Sequence, residues 1–215
     1  MQYVNKVAII FNGPPGSGKD LICDYLAGEE FVNFSVINAT HLRFKDKLFE
    51  LVQCIYGLSE KEFFEIYNDR ELKETPLDVF YGRTPRGAMI HVSEDLIKPN
   101  FGKDYFGRAA AKVMKPGINC FSDAGFPEEL EPIYNETEGQ MLIVQVHRDG
   151  CDFSNDSRNY INQFKDVKIL KLYNNSSIEE LKANVLKILA NEFEQTIKYR
   201  HDIMDYTVKT KLKGS

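Results

Sequence analysis

A glycine-rich segment near the start of the chain carries the clearest chemical signal in the sequence. Gly13, Gly18 and Lys19 satisfy the spacing G-x-x-x-x-G-K, between an apolar run and a helical pattern. In that context the loop turns backbone N–H groups toward phosphate oxygens, the helix points its positive end at the same anion, and the lysine reaches the outer phosphates. The sequence therefore predicts a nucleotide-binding loop made of Gly13, Pro14, Pro15, Gly16, Ser17, Gly18 and Lys19.

The residue after the loop departs from the usual pattern. Asp20 stands where a serine or threonine usually ligates magnesium. A carboxylate could bind the ion directly or through its waters, because magnesium prefers oxygen ligands and keeps several waters. Asp123 ends a predicted strand, where carboxylates commonly hold magnesium or its water, although a helix cap or turn ahead of Pro127 is the simpler alternative. We expect ATP and Mg²⁺ as cofactors, with Asp20 and Asp123 near the metal.

A second anion site is indicated at the start of a predicted helix. Arg83 and Arg86 flank Thr84-Pro85, which is typical of an N-cap followed by proline at the first helical position. A helix start with two guanidinium groups suits a phosphate. Arg43, near the start of an earlier predicted helix, could add to it. We expect Arg43, Arg83 and Arg86 to bind the substrate.

Two further arginines bracket a polar segment after a core strand. Arg148 and Arg158 lie at its two ends, within residues 147–160. A polar loop with arginines at this position is typical of a lid that closes over a transferring phosphoryl group. Any one arginine alone is more simply a solvated surface charge. Their placement around the predicted strand ends favours a joint phosphate-binding role.

Apolar runs that alternate with helical patterns predict an α/β fold with a parallel sheet flanked by helices. The predicted strands are Val7–Phe11, Phe31–Ile37, Ile118–Ser122, Met141–Val146 and Val167–Tyr173. The predicted helices cover residues 19–27, 41–56, 84–97, 104–114 and 127–134, with capping boxes opening two more at Ser59 and Ser176. We expect the three-layer sandwich of a P-loop kinase in one domain. Its core would cover about residues 1–40 and 116–195, a helical substrate-binding insertion about residues 41–115, and a lid about residues 147–160.

Composition limits the possible partners and compartments. The 215 residues carry a net charge of −5, which argues against nucleic acid as a general partner. No apolar run approaches the length that spans a membrane, and no signal peptide is recognised. The cysteines are Cys23, Cys54, Cys120 and Cys151, with no C-x-x-C pair. This spacing favours reduced thiols in the cytoplasm and disfavours a zinc site.

Several segments together resemble bacteriophage deoxynucleoside monophosphate kinases, over most of the chain up to about residue 190. The less specific ones are the loop ending Gly18-Lys19-Asp20, the segment Asp156-Ser157-Arg158 and the turn Asn174-Asn175-Ser176. The more specific ones are Arg83-Thr84-Pro85-Arg86-Gly87, Phe101-Gly102-Lys103-Asp104-Tyr105-Phe106, and Asp123 with Phe126 and Glu128 or Glu129.

The resemblance implies transfer of the γ-phosphoryl group of ATP to a deoxynucleoside monophosphate, with magnesium. It implies that Lys19 and its loop hold the ATP phosphates and that Arg86 holds the acceptor phosphate. Arg148 or Arg158 would belong to the lid, and Asn174 would lie near the adenine. A homodimer is possible within such a family, and a phage-encoded protein would act in the host cytoplasm.

The chain also differs from some members of that family. These relatives carry an arginine two places after the strand-end aspartate, where this chain has Gly125. The role of that arginine must pass to another residue or be absent. No catalytic histidine or cysteine is expected, because the acceptor oxygen of a monophosphate is already ionised at neutral pH. Catalysis would come from alignment and charge neutralisation.

Two other functions stay open at this point. One is a small P-loop kinase with another phosphorylated acceptor, such as phosphomevalonate, and the other is an ATP-binding regulator without turnover. A GTPase is disfavoured because no Asn-Lys-x-Asp segment occurs. A nucleobase needs apolar or aromatic walls, so the acceptor pocket discriminates between the kinases. The aromatic candidates are Tyr67, Phe80, Tyr81 and Tyr105.

Overall fold

A single parallel sheet organises the protein. The computed structural model describes residues 6–29, 31, 38–69, 71–154 and 156–192. Five strands lie in the order β2-β3-β1-β4-β5, and every neighbouring pair is parallel. The strands are β1 (Lys6–Asn12), β2 (Ala39–Leu42), β3 (Gly117–Phe121), β4 (Met141–His147) and β5 (Lys168–Tyr173). The three central strands are almost wholly buried, as their continuous apolar runs predicted.

Helices cover both faces of the sheet and confirm the predicted α/β class. They are α1 (Lys19–Ala27), α2 (Phe44–Tyr56), α3 (Glu60–Asn68), α4 (Pro85–Ile90), α5 (Lys98–Phe101), α6 (Tyr105–Val113), α7 (Pro127–Glu136) and α8 (residues 178–192). Leu72–Glu74 and Asp78–Phe80 form 3₁₀ turns, and the π-helical stretch His91–Ile97 joins α4 to α5.

Two apolar cores give the three-layer arrangement its stability. On one face of the sheet, α1 and α8 contribute Ile22, Leu26, Leu181 and Val185. On the other face a larger core joins α7 to the helices between β2 and β3, with phenylalanines from several of them. Its fully buried or nearly buried rings are Phe44, Phe49, Phe63, Phe80, Phe106 and Phe121. The burial of these rings fixes the helical insertion against the sheet.

Local capping signals place three of the helices. Ser59 and Glu62 form the predicted capping box, with Glu62 N 3.3 Å from Ser59 Oγ. Thr84 accepts a hydrogen bond from Gly87 N at 3.0 Å, with proline at the first helical position as predicted. At α8, Ser177 accepts from the backbone N–H of Glu180, so the capping residue lies one position beyond the predicted Ser176.

The second strand lies elsewhere than the sequence suggested. Residues 32–37 of the predicted strand Phe31–Ile37 lie outside the described residues, and Phe31 itself is helical. Strand β2 instead runs through Ala-Thr-His-Leu, so α2 begins at Phe44 rather than His41. This edge strand is only partly buried and therefore carries no apolar run to reveal it.

The described residues also bear on two expectations from composition, one about the cysteines and one about membrane-spanning helices. All four cysteines are free thiols, as predicted. Across the described parts of the chain, no helix is long and apolar enough to cross a bilayer. The last three residues of the predicted core, 193–195, lie outside the described residues.

Candidate functional site

The predicted phosphate loop connects β1 to α1 at the carboxyl edge of the sheet. Gly16 and Gly18 have φ angles of +78° and +101°, in the left-handed region that favours glycine. Gly18 is also the N-cap of α1. At Gly13 the constraint is space, because a Cβ there would lie 2.5 Å from the carbonyl oxygen of Val146. The glycines are therefore required by the loop's conformation and packing.

Lys19 lies inside this loop. Its Nζ donates to the carbonyl oxygen of Pro14 at 2.7 Å and to Ser17 Oγ at 3.3 Å. The residue is only 5% exposed. Burial, and next the positive charge of Arg158, lower the pKa of Lys19 to about 8, against the opposing effect of nearby carboxylates. A phosphate group would favour the charged form of this amine.

Asp20 belongs to a hydrogen-bonded chain that joins α1 to two strands. Ser122 Oγ donates to Asp20 Oδ1 at 2.7 Å. His41 Nε2 lies 2.8 Å from the same Ser122 Oγ, and His41 Nδ1 lies 2.8 Å from Asp24 Oδ1. Ser122 and His41 therefore orient the Asp20 carboxylate. No sequence motif marks these two residues, since they meet only through the pairing of β2 with β3.

The chemistry of Asp20 fits a magnesium ligand. Burial opposes its ionisation, but the hydrogen bond from Ser122 and the positive charges of Lys45, His41 and Lys19 hold the pKa of Asp20 below its usual value. Within the described residues, no group of three or more His, Cys, Asp or Glu side chains could hold a metal. Magnesium beside nucleotide phosphates needs only one or two carboxylates, because phosphates and waters supply the other ligands.

Asp123 has a structural partner that the sequence did not reveal. Its Oδ1 and Oδ2 accept hydrogen bonds, each 3.0 Å long, from the backbone N–H groups of Phe44 and Lys45. The carboxylate thus caps the start of α2, a helix remote in sequence. Burial raises the pKa of Asp123 despite these two hydrogen bonds. A role of Asp123 toward magnesium or the substrate stays a prediction.

Arg158 is held rigidly at the end of the predicted lid. Its Nε and Nη2 donate to the two carboxylate oxygens of Asp156 at 2.8 and 2.5 Å. Its Nη1 donates to the carbonyl oxygen of Asp123 at 3.0 Å. The aliphatic stem crosses the face of Gly125, where an added Cβ would lie 2.4 Å from both Cβ and Cγ of Arg158. Glycine at position 125 therefore makes room for Arg158.

We expect Gly125→Ala to displace Arg158 and to destabilise the fold by about 1–3 kcal/mol, the usual cost of overpacking. Denaturant unfolding and nucleotide binding measure the two effects. Gly57→Ala measures the cost of backbone strain without overpacking, because nothing lies within 4 Å of its Cβ position and only its φ of +67° opposes a side chain. Stability unchanged by Gly125→Ala would contradict the packing.

Arg148 and Asn174 also contact the phosphate loop. Arg148 is exposed, and its Nη1 donates to the carbonyl oxygen of Gly16 at 3.0 Å. Asn174 Nδ2 donates to the carbonyl oxygen of Ser17 at 2.8 Å. An added Cβ at Gly18 would lie 2.5 Å from the same amide nitrogen. Both side chains therefore hold the loop's backbone, and contact of Asn174 with adenine stays a prediction.

Asn12, at the end of β1, fixes the far end of the lid segment and was missed by the sequence analysis. Its Nδ2 donates to the carbonyl oxygens of Ala124 and Asn159, at 3.1 Å each. Its Oδ1 accepts from the backbone N–H of Ile161 at 2.8 Å. This buried amide ties the segment after Arg158 to the central strand. Residue 155 of the predicted lid lies outside the described residues.

A cavity of about 540 Å³ adjoins the phosphate loop at Pro15. Charged and aromatic side chains both line it. The charged lining residues are Lys45, Lys73, Arg86, Lys98, Arg158, Glu94, Asp123, Glu129 and Asp156. The aromatic lining residues are Phe44, Phe49, Tyr67, Phe106 and Phe126. We call this the acceptor cavity.

The structure brings only some of the predicted arginines to the acceptor cavity. Arg86 lines it and pairs with Glu74, with Nε 3.0 Å from Oε1. Arg43 pairs with Asp46 instead and lines a separate cavity of about 490 Å³. Arg83 lines neither of these two cavities. Substrate roles for Arg43 and Arg83 thus gain no support from their positions.

The aromatic candidates are likewise divided by the tertiary structure. Tyr67 lines the acceptor cavity, whereas Tyr105 lines the separate one. Phe80 is fully buried in the core, and Tyr81 is exposed. The aromatic wall comes largely from phenylalanines of α2, α6 and the residue before α7. Phe106 and Phe126 belong to segments that carried the family resemblance, but the sequence assigned none of these phenylalanines to a binding surface.

Comparison with known proteins adds one relative, and no family model matches the chain. A protein of Acanthamoeba polyphaga mimivirus, named "Putative deoxynucleotide monophosphate kinase", is 27% identical over 199 residues. The match covers 86% of this chain and 97% of that protein. It supports a nucleotide kinase function. The nucleotide kinase would act on a nucleotide and use ATP, which agrees with a parallel α/β sheet that carries a phosphate loop at its edge.

Proposed function

We propose that the protein is an ATP-dependent deoxynucleoside monophosphate kinase, which transfers the γ-phosphoryl group of ATP to a monophosphate and releases the diphosphate. One observation carries the proposal: the phosphate loop and the acceptor cavity share an edge at Pro15. A donor bound by the loop and an acceptor in the cavity would therefore meet near Lys19 and Arg158. The name of the mimivirus relative agrees with this acceptor class.

The charged groups at this edge account for the chemistry without a general base. The attacking oxygen of a monophosphate is already ionised, so the barrier comes from charge repulsion and alignment. The loop's N–H groups and Lys19 would hold the donor phosphates. Arg158, fixed in direction by Asp156, presents a rigid guanidinium to the reacting groups, and Arg86 suits the acceptor phosphate.

Magnesium would be held by Asp20, with Asp123 as the second predicted carboxylate. When bound, the ion neutralises charge on the donor phosphates. The Ser122 and His41 side chains orient Asp20 toward its position beside the loop. Because Gly125 has no side chain, Arg158 has room to reach the site. Arg158 is therefore our candidate for the role that an arginine at the equivalent of position 125 would play in some members of the family that the sequence resembles.

A different phosphorylated acceptor is less well supported by the cavity. Five aromatic residues line it, which suits a flat nucleobase better than a branched aliphatic chain. A regulator without turnover would have no need for Arg86 and Arg158 in a cavity beside the loop. Both alternatives make distinct predictions in the same assay.

The assay combines the protein, ATP and Mg²⁺ with each common ribo- and deoxynucleoside monophosphate, and separates the products by chromatography. We expect a diphosphate and an equal amount of ADP from at least one deoxynucleotide. ATP binding without any diphosphate would overturn the kinase proposal. Phosphomevalonate is included as a further acceptor. If it alone gives a diphosphate, it replaces the nucleotide as the proposed acceptor.

Arg86→Ala should mainly raise the KM for the monophosphate, by about 10- to 100-fold, because one charge-assisted phosphate contact is lost. Steady-state kinetics with each substrate varied in turn measure this. Arg43→Ala is the matched control, since Arg43 lies against Asp46 outside the acceptor cavity. An effect on ATP affinity alone would show that Arg86 is wrongly assigned.

A further inference from the structure

Glu129 is a buried acid in the wall of the acceptor cavity, and the proposed mechanism does not use it. It lies in the first turn of α7 and is only 5% exposed. Within the described residues, its carboxyl group has no hydrogen-bond or ion-pair partner. Its side chain lines the cavity, and its oxygens are not sealed from solvent, since no fully buried side-chain oxygen of the described residues lacks a partner. The carboxyl group is therefore open to a polar partner that enters the cavity.

The backbone around Glu129 is held tightly in place. Helix α6 approaches so closely that a Cβ on Gly107 would lie 2.2 Å from the carbonyl oxygen of Glu129. Phe126, just before α7, and Phe106, on α6, line the same cavity. Glu129 thus lines the cavity together with two phenylalanines. A flat ring that packs against these phenylalanines would lie close to the carboxyl group.

Charged side chains from three parts of the chain act on Glu129: the segment around Lys98, the end of β3 and the predicted lid. Lys98 and Arg158 favour its ionised form, whereas Asp123 and Glu94 oppose it. Burial outweighs them all and raises the pKa of Glu129 to about 8. Lys98 is itself engaged, with Nζ 2.7 Å from Glu94 Oε1 and 4.5 Å from the centre of the Phe126 ring. At pH 7 the neutral form of Glu129 is therefore favoured.

We infer that Glu129 binds the Watson–Crick edge of the acceptor's nucleobase and so sets the base preference of the cavity. The inference rests on the proposed function, since it assumes that the cavity receives a nucleoside monophosphate. A neutral carboxylic acid offers one donor and one acceptor side by side, which fits the adenine, cytosine and thymine edges and also the O6 and N1–H pair of guanine. An ionised carboxylate only accepts, and it fits the neighbouring N1–H and N2–H groups of guanine.

The test measures binding of the four deoxynucleoside monophosphates by calorimetry at pH 7 and pH 9, with kinetics run in parallel. For the wild-type protein, we expect the affinity for the guanine nucleotide, relative to the other three, to rise about tenfold between these pH values. Glu129→Gln keeps a donor and an acceptor but cannot ionise. Its relative affinities should therefore not change with pH.

Glu129→Leu removes both hydrogen-bonding groups and leaves an apolar side chain that suits the buried site. It should weaken binding of every monophosphate that the protein accepts by about 10- to 100-fold, with ATP affinity unchanged. Glu131→Gln is the matched control on the same helix, because Glu131 pairs with Lys165 outside the cavity. Thermal unfolding verifies that each variant is folded.

Two outcomes would overturn the inference: unweakened monophosphate binding by Glu129→Leu, or the same pH trend in the wild-type protein and Glu129→Gln. Failure of the proposed function looks different, because monophosphates would then give no diphosphate with the wild-type protein, whatever residue stands at position 129. The calorimetric binding measurement needs no turnover and therefore reports on Glu129 even if the protein has no kinase activity.

Discussion

Lys19→Ala should abolish phosphoryl transfer, with a loss in kcat of about 1,000-fold or more, while the protein stays folded. The amine is the buried positive charge of the phosphate loop, within hydrogen-bonding distance of the Pro14 carbonyl and Ser17 Oγ. Its removal would take a positive charge away from the donor phosphates that the loop is proposed to hold. Single-turnover kinetics with ATP and the preferred monophosphate measure the loss.

The fold should tolerate this change because burial works against the charge of Lys19, as its lowered pKa of about 8 indicates. Lys19→Met, which keeps the length of the stem, separates loss of charge from loss of packing. Lys61→Ala, at an exposed site on α3, is the control for a lysine outside the site. A near-normal rate for either Lys19 variant would refute the donor site.

Arg158→Ala is expected to produce the second largest effect, a fall in kcat of about 100- to 1,000-fold. Its guanidinium lies beside the acceptor cavity and is oriented by Asp156 and by the carbonyl oxygen of Asp123. A fork-shaped group fixed in this way can stabilise the charge of the transferring group at little entropic cost. Arg158→Lys should recover only part of the rate, because lysine lacks the fork.

Comparison with Arg148→Ala identifies which arginine of the lid segment contacts the reacting groups. Arg148 is exposed and hydrogen-bonded to the Gly16 carbonyl, so its loss should loosen the loop and raise the KM for ATP by a few fold. Pre-steady-state measurements separate that effect from the chemical step. A larger fall in kcat for Arg148→Ala than for Arg158→Ala would reverse the assignment.

The acceptor cavity shows why position matters more than residue type for the arginines. Arg43, Arg83 and Arg86 are similar in sequence context, since each lies near the start of a predicted helix. Only Arg86 lines the cavity, whereas Arg43 pairs with Asp46 in the first turn of its own helix and Arg83 lines neither cavity. Sequence spacing along separate helices contains no information on which of their faces meet.

Local patterns in the chain were sufficient for much of the architecture. Continuous apolar runs predicted β1, β3 and β4, because a central parallel strand is buried on both faces and must be apolar throughout. The strand β5 lies at the edge of the sheet and is mostly not buried, but its position was also predicted. The phosphate loop could also be predicted from the sequence, since left-handed glycines and a strand-to-helix turn are local requirements. Capping by Ser59 and Thr84 also depends on residues only three positions apart.

What the tertiary structure alone decided is the set of contacts between segments distant in sequence. Asp123 caps a helix that begins 79 residues earlier, and Ser122 and His41 reach Asp20 through strand pairing. Gly125 makes room for Arg158, and β2, at the sheet's edge, has no apolar run to mark it. The burial of Glu129 follows from the packing of α6 on α7. Such contacts depend on the three-dimensional path of the chain, which no local periodicity encodes.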